Sequence, residues 1–183
     1  MTPTDVSKRV PVADILETNE SLSFTVAIPD DIQAIKAMLT RCSALSRLRR
    51  FFRLVPSAPP RYLEQVLSDP DHFALVIRLD GQPIGLAELH RTGGRSGDLG
   101  LVVEDAFQRR GIGTAAFRAL VRQARKQGLC LLTADVQLEN VHVIAWLLRV
   151  GSASVRRSHD VCHITLGVAT EGKSGSDTSS CAA

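Results

Sequence analysis

The residue order predicts a mixed α/β (α+β) fold: a single sheet, mostly antiparallel, with helices on both faces. Three observations carry this expectation. Asp80-Gly81 separates two apolar strand-like runs, a strong signal for a two-residue hairpin. One helical stretch, Ile112–Gln127, separates a strand ending at Val103 from one beginning at Leu129, which is long enough for a parallel crossover. The hairpins, in contrast, pair antiparallel.

The elements follow in order. Met1–Ser21 has no sustained periodicity and reads as an N-terminal arm, residues 1–21. Phe24–Ile28 alternates like a strand, and Asp30 or Asp31 then stands as an N-cap. Ile32, Ile35, Met38 and Leu39 fall at helical spacing, so an amphipathic helix runs to about Arg41. Ala44–Leu54 is a second, Arg-rich helical stretch, broken by Pro56, Pro59 and Pro60; Pro60 suits the start of a short helix through Leu67. His72–Leu79 and Pro83–His90 are the hairpin strands, Gly93, Gly94 and Gly97 make the next turn, and Asp98–Val103 follows as a strand. After the crossover helix, stopped by Gly128, come a strand Leu129–Val136, a helix Asn140–Val150 stopped by Gly151, and a closing pair Ser154–Arg157 and Val161–Val168. One domain, residues 22–168, is therefore expected, ahead of a Gly/Ser/Thr-rich, disordered tail over 169–183.

Composition narrows the function classes. The chain has 183 residues, 44% hydrophobic and 22% charged, which is too apolar for a disordered protein. No run approaches the ~18 apolar residues of a membrane span, and Met1–Glu20 lacks the apolar stretch of a secretion signal. Cys42, Cys130, Cys162 and Cys181 are scattered with no Cys/His cluster, so no metal is expected and a reducing, cytoplasmic compartment fits. A net charge of +3 makes no case for nucleic acid. Charge is nonetheless uneven: Lys36–Arg61 and Arg109–Lys126 contain basic residues and no acidic ones. Each run is either a solvated helix face or a positive rim around an anion, and position favours the second role for Arg109–Lys126.

Three glycine motifs compete. Gln108-Arg109-Arg110-Gly111-Ile112-Gly113-Thr114 links a strand to a helix whose first turn leaves backbone N–H groups without intrahelical acceptors. Gly111 and Gly113 would let backbone approach a bulky oxyanion, the helix dipole favours negative charge there, and Arg109 and Arg110 would add contacts at the mouth. A diphosphate is the natural ligand; the plain alternative is a turn that only packs a helix on the sheet. Gly111-x-Gly113-x-x-Ala116 also matches a dinucleotide fingerprint, with Asp135 ending the next strand. Against it, Glu104–Arg110 intervene between strand and first glycine, and hairpins replace further βαβ units. Gly167–Ser174 matches a phosphate-binding P-loop pattern, but the nine residues after Ser174 offer no helix to receive the phosphate.

Val103–Gly113, its helix, Leu129–Val136, Asn140 and Gly151 resemble the acetyl-CoA-binding core of the GCN5-related N-acetyltransferase (GNAT) superfamily. The signature Q/R-x-x-G-x-G/A is met by Gln108, Gly111 and Gly113, and the likeness extends over about Ser23–Val168. Leu45–Phe52 and Val102–Gln108 are similar to the GNAT domain of bacterial protein-lysine acetyltransferases. The resemblance implies a splayed sheet, with pantetheine beside Asp98–Val103 and Leu129–Val136. Backbone groups of Leu101, Val102 and Val103 would pair with pantetheine, the segment Gln108, Arg109, Arg110, Gly111, Ile112, Gly113 and Thr114 would hold the pyrophosphate, and Asn140 would touch the cofactor. Asn140 is also placed to be a helix N-cap, and the two roles are compatible.

The implied reaction is acetyl transfer from acetyl-CoA to a primary amine, either a protein lysine or a small molecule, without a metal, nucleic acid or membrane partner; a homodimer is compatible. A lysine of pKa ~10.4 must lose its proton to attack, at a cost of about 4–5 kcal/mol at pH 7. A carboxylate could take that proton. Asp98 is the first candidate, matching a glutamate in the protein-lysine acetyltransferases; Glu88, on the neighbouring strand, is the second, with a solvated strand end or an arginine partner as its plain reading. Glu104 and Asp105 are expected at the loop surface. The family's usual tyrosine acid is replaced by Leu147, Tyr62 lies in another region, His142 reads as surface and Trp146 as core. The missing tyrosine keeps a second class open, a catalytically silent CoA-binding or protein-interaction module.

Overall fold

A computed structural model describes residues 21–59 and 61–168. The elements are β1 (Leu22–Val26), α1 (Ile32–Arg41), α2 (Ala44–Phe51), α3 (Tyr62–Ser68), β2 (His72–Leu79), β3 (Gln82–Gly93), β4 (Ser96–Val103), α4 (Ile112–Lys126), β5 (Leu131–Gln137), α5 (Val141–Val150), β6 (Ala153–Ser158) and β7 (Val161–Gly167). They build a seven-stranded sheet in the order β1-β2-β3-β4-β5-β7-β6. β4 and β5 pair parallel; β1–β2, β2–β3, β5–β7 and β6–β7 pair antiparallel. This is the mixed, mostly antiparallel sheet expected. The N-terminal arm and the tail fall outside the described residues, apart from Ser21.

The chain divides into two compact units, one containing the described residues up to His90 together with Gly100–Leu120, the other Arg91–Leu99 and the residues from Val121 onward. In the first, the helical spacing of α1 puts Ile35, Met38 and Leu39 inward, where they join Leu63 and Val66 of α3 and Ala74, Val76, Leu86 and Val102 of the sheet. The hairpin closes through Asp80 and Gly81, both at positive φ (47° and 80°), the backbone a type I′ turn demands. In the second unit, Leu132, Ala134 and Val136 of β5 stand opposite Leu166, Ile164 and Cys162 of β7, all buried. Period-two alternation leaves Leu131, Thr133 and Asp135 on the other, open face. α4 ends as its sequence suggests. Gly128 adopts φ 71°, its N–H donates to Arg125 O, and Leu129 N–H donates to Ala124 O.

Several boundaries differ. α2 stops at Phe51, short of Leu54, because Phe52 turns left-handed at φ 55°. Gly97 is not in the turn but inside β4, buried and opposite Leu132. Neither Asp30 nor Asp31 caps α1 with its side chain; they form a 3-10 turn with Pro29, and Asp31 instead pairs with Arg78. Trp146 is only partly buried, and Leu147 is the inward residue of α5. No helix among the described residues is long and apolar enough to cross a membrane.

Candidate functional site

The loop from Glu104 to Gly111 is fixed by polar contacts within the first unit. Asp105 accepts from Ser43 N at 2.7 Å and from Ser43 Oγ and Ser46 Oγ at 2.8 Å each, which ties the loop to the start of α2. Burial works to raise the Asp105 carboxyl, and these hydrogen bonds overcome it, holding the group below its ordinary value. Glu104 is not a free surface group, as its position suggested: its carboxylate pairs with Arg41 at 2.9 Å and is largely enclosed. Gln108 Nε2 donates back to Val103 O at 2.8 Å and to Ser46 Oγ at 3.2 Å. The signature glutamine therefore braces the end of β4, and Val103 O is already occupied.

Beyond that brace the backbone is shaped by its glycines. Arg109 and Gly111 both have positive φ (62° and 78°), so the chain doubles back just before α4. Ile112 is buried at 2% exposure, so its side chain belongs to the core. The first backbone bond of α4 runs from Ala115 N to Gly111 O at 3.0 Å, so the amides of Ile112 and Gly113 are among those a helix start leaves without intrahelical acceptors. A Cβ on Gly113 would meet only Leu101 Cδ2, at an ordinary 3.7 Å. Protein packing alone does not require glycine there. Arg109 and Arg110 are exposed beside it, the Arg110 guanidinium 5.4 Å from the centre of the Phe107 ring.

Glu88 occupies a different setting from Asp98. At 1% exposure it is the buried charged residue of the described core. Tyr62 donates its hydroxyl to both carboxylate oxygens, at 2.6 and 2.7 Å, and Arg50 forms an ion pair with Oε2 while also donating to the Tyr62 oxygen. His72 Nε2 stands 3.8 Å from Oε1. Burial first, then the Glu88 charge, pushes the Tyr62 phenol well above its ordinary value. Burial alone would lower the Arg50 guanidinium, but Glu88 outweighs it and the net shift is upward. The group lies against β4, where a Cβ on Gly100 would come within 2.5 Å of Arg50 Nη2 and 3.2 Å of Glu88 Oε2. Of the two plain readings of Glu88, the arginine partner is the one found.

In the second unit Asp98 is exposed on β4, at the last residue of the β4–β5 register, and accepts a hydrogen bond from Thr133 Oγ1 of β5. On the same face of β5, Asp135 lies 2.6 Å from His163 Nδ1. Asn140 takes the N-cap position of α5 but makes no side-chain cap; its backbone oxygen accepts from Val143 and Ile144 instead. Its amide side chain is thus uncommitted to the helix. His142 is exposed, and Leu147 buried. Leu101 is half-buried, while Val102 and Val103 are in the core.

The sequence reading missed Arg50 and Tyr62. An acid inside the apolar run Ile84–Leu89 is the signal that could have asked for a buried cation from the Arg-rich stretch, since buried carboxylates are almost never left alone.

Comparison with known proteins bears on this geometry. The family model for the acetyltransferase (GNAT) family matches residues 41–151, well over half of the chain. Among solved structures, the GNAT domain of S. lividans PAT superposes with a TM-score of 0.75 at 19% identity, covering 80% of this chain and 90% of that one. The ribosomal-protein-S18-alanine N-acetyltransferase from Escherichia coli gives 0.68 at 17% identity, covering 86% and 100%. The PaiA N-acetyltransferase from Thermoplasma acidophilum, in complex with coenzyme A, gives 0.63 at 13% identity, covering 80% and 99%. At these identities the structural likeness is one of fold.

Proposed function

Because the chain belongs to the acetyltransferase (GNAT) family, we propose that its residues 22–168 transfer an acetyl group from acetyl-CoA to a primary amine, with Asp98 as general base. The observation that carries the cofactor assignment is the start of α4: amides at Ile112 and Gly113 without intrahelical acceptors, a glycine that packing leaves open, and two exposed arginines. Oriented amides, the helix dipole and Arg109 and Arg110 suit a pyrophosphate. The Thermoplasma neighbour described with coenzyme A supports that ligand, and the Escherichia coli neighbour named for an alanine N-acetyltransferase supports an amine acceptor. Leu101 and Val102 supply the strand backbone for pantetheine.

In the reaction, the ammonium of the acceptor gives one proton to the Asp98 carboxylate, directly or through a water. The neutral nitrogen attacks the thioester carbonyl, a C–N bond forms, and the C–S bond breaks as the tetrahedral intermediate collapses, the nitrogen's surplus proton passing to the released thiolate or to solvent. The departing sulfur needs no strong acid, because a thiol of pKa ~8.5 leaves readily as thiolate. That accommodates the apolar Leu147 and a Tyr62 already committed to Glu88. Asp98 is favoured over Glu88 by exposure: an acceptor amine can reach the first, whereas the second is enclosed and paired with Arg50. Cys42 and Cys162, buried free thiols, suit the reducing cytoplasm.

The test uses coenzyme A and acetyl-CoA with wild type and Gly113→Val. At 100 times its dissociation constant a ligand should add about 2.7 kcal/mol of stability to wild type. Gly113→Val should fold with an unchanged melting temperature and lose that shift. A shift that survives the substitution overturns the placement of the cofactor. Thiol release from acetyl-CoA with a panel of amines and peptides then separates a working transferase from a silent CoA-binding module.

A further inference from the structure

Asp69, His72 and His90 come together at the mouth of the β2–β3 hairpin, opposite its Asp80-Gly81 turn. His72 and His90 are cross-strand partners, and their rings stack with centroids 4.9 Å apart and planes 20° from parallel. Asp69 follows α3 as its C-cap residue; its backbone oxygen accepts from His72 N at 3.1 Å and its Oδ1 from Asp71 N at 2.9 Å. Those bonds fix the turn and leave Oδ2 directed at His90 Nε2, 3.4 Å away. One donor atom from each of the three residues lies within 4.8 Å of the others, the sole such trio among the described residues.

We infer that Asp69, His72 and His90 bind a divalent transition-metal cation of the zinc class, with solvent completing the coordination. Two imidazole nitrogens and one carboxylate oxygen form a borderline donor set, suited to Zn²⁺, Co²⁺ or Ni²⁺ and unsuited to the all-oxygen preference of Mg²⁺ and Ca²⁺. Tetrahedral bonds of about 2.0–2.1 Å need donors about 3.4 Å apart, so the trio must contract by no more than about 1.4 Å. The side chains of His90 and Asp69 are 42% and 38% exposed and have room to turn, while two paired strands and a helix end hold the backbone.

Glu88 supplies an independent argument. Ligating histidines commonly present their second nitrogen to a carboxylate that fixes the ring. The Glu88 carboxylate stands 3.8 Å from His72 Nε2 and is itself held by Tyr62 and Arg50. It stands where it can help to orient the His72 ring. The sequence alone argued against a metal because it lacks close Cys/His spacing; here the ligands converge through strand pairing instead.

The test is titration of the EDTA-stripped full chain with Zn²⁺ by calorimetry and with Co²⁺ by visible absorption. Wild type should bind one equivalent saturably, with Mg²⁺ and Ca²⁺ failing to compete. His90→Ala and Asp69→Asn should each weaken binding at least ~10-fold, with melting temperatures in EDTA equal to wild type. If either variant folds poorly, His90→Asn replaces it, and imidazole NMR signals of the wild type provide a readout free of substitutions. Zn²⁺ should move the signals of His72 and His90 and leave those of His142, His159 and His163 in place. Absence of saturable binding, binding undiminished in both variants, or its loss in Cys181→Ser would overturn the assignment.

Discussion

Replacing Glu88 by alanine should destabilise the protein severely while Asp98→Asn should leave it folded and slow. The Glu88 carboxylate is enclosed at 1% exposure, and its removal strands the Arg50 guanidinium, whose side chain is 17% exposed, beside the Tyr62 hydroxyl. Breaking one side of a buried ion pair costs about 3–5 kcal/mol, because the remaining charge stays desolvated without its partner. In a chain of this size each kcal/mol moves the melting temperature by about 2–4 °C, so the midpoint should fall by roughly 6–20 °C. Asp98 is exposed, and losing its Thr133 contact should cost no more than about 0.5 kcal/mol. The proton transfer proposed for it, in contrast, would be worth ~10²–10⁴ in rate.

The assay pairs thermal unfolding with thiol release at an acceptor concentration well below saturation, measured where both variants remain folded. Glu88→Ala combined with Arg50→Met should recover much of the lost stability, because the second change removes the stranded charge. Residual activity of Asp98→Asn should rise with pH as more of the amine deprotonates unaided. A Glu88→Ala midpoint within about 2 °C of wild type, together with a rate loss exceeding that of Asp98→Asn, would refute the division of labour.

Gly100→Ala should lower stability through the same cluster, since the new Cβ meets Arg50 Nη2 at 2.5 Å; urea unfolding at matched denaturant slope reads the effect. Acid should weaken the fold through His72. Its folded pKa lies below the ordinary 6.5, mainly through burial and with His90 adding, against the opposing pull of Glu88 and Asp69. That stability is present above 6.5 and lost as pH falls through the folded value, so the decline below pH 6.5 should be shallower in His72→Asn. Cys42, pushed to about 11 by burial first and by Asp105 and Glu104 next, should resist iodoacetamide in the native protein at pH 8 and react once unfolded, as mass spectrometry of the labelled peptide would record.

The parts of the fold that sequence displays are those set by neighbours along the chain. Asp80-Gly81 and Gly128 announce a turn and a helix end because the left-handed backbone they need is a local demand. The helical spacing of Ile35, Met38 and Leu39 shows which face of α1 must be covered. Local signals are less reliable where another element decides the outcome. Gly97 sits beside turn-forming glycines and still becomes strand, because Leu132 of β5 pairs with it. Asn140 has the identity of a capping residue and the right position, but its backbone oxygen accepts the helix bonds and its side chain does not cap.

The candidate site divides along the same line. The segment from Gln108 to Thr114 is contiguous, so its glycines and arginines read together as an anion cradle from residue order alone. The carboxylates do not sort that way. Glu88 and Asp98 both fall on strands and carry the same charge, yet Arg50 and Tyr62 reach Glu88 from 38 and 26 residues away and enclose it. Only three-dimensional packing distinguishes an acid held by a buried guanidinium from one left open to an incoming amine. That distinction also explains why the absent tyrosine on α5 is not supplied by Tyr62. Its hydroxyl hydrogen is already shared with both oxygens of Glu88, and its raised pKa makes the phenol a poorer proton donor to a departing thiolate. Under the proposed mechanism the thiolate would leave on its own acidity, which would tie turnover to the basicity of the acceptor amine and to the carboxylate that deprotonates it.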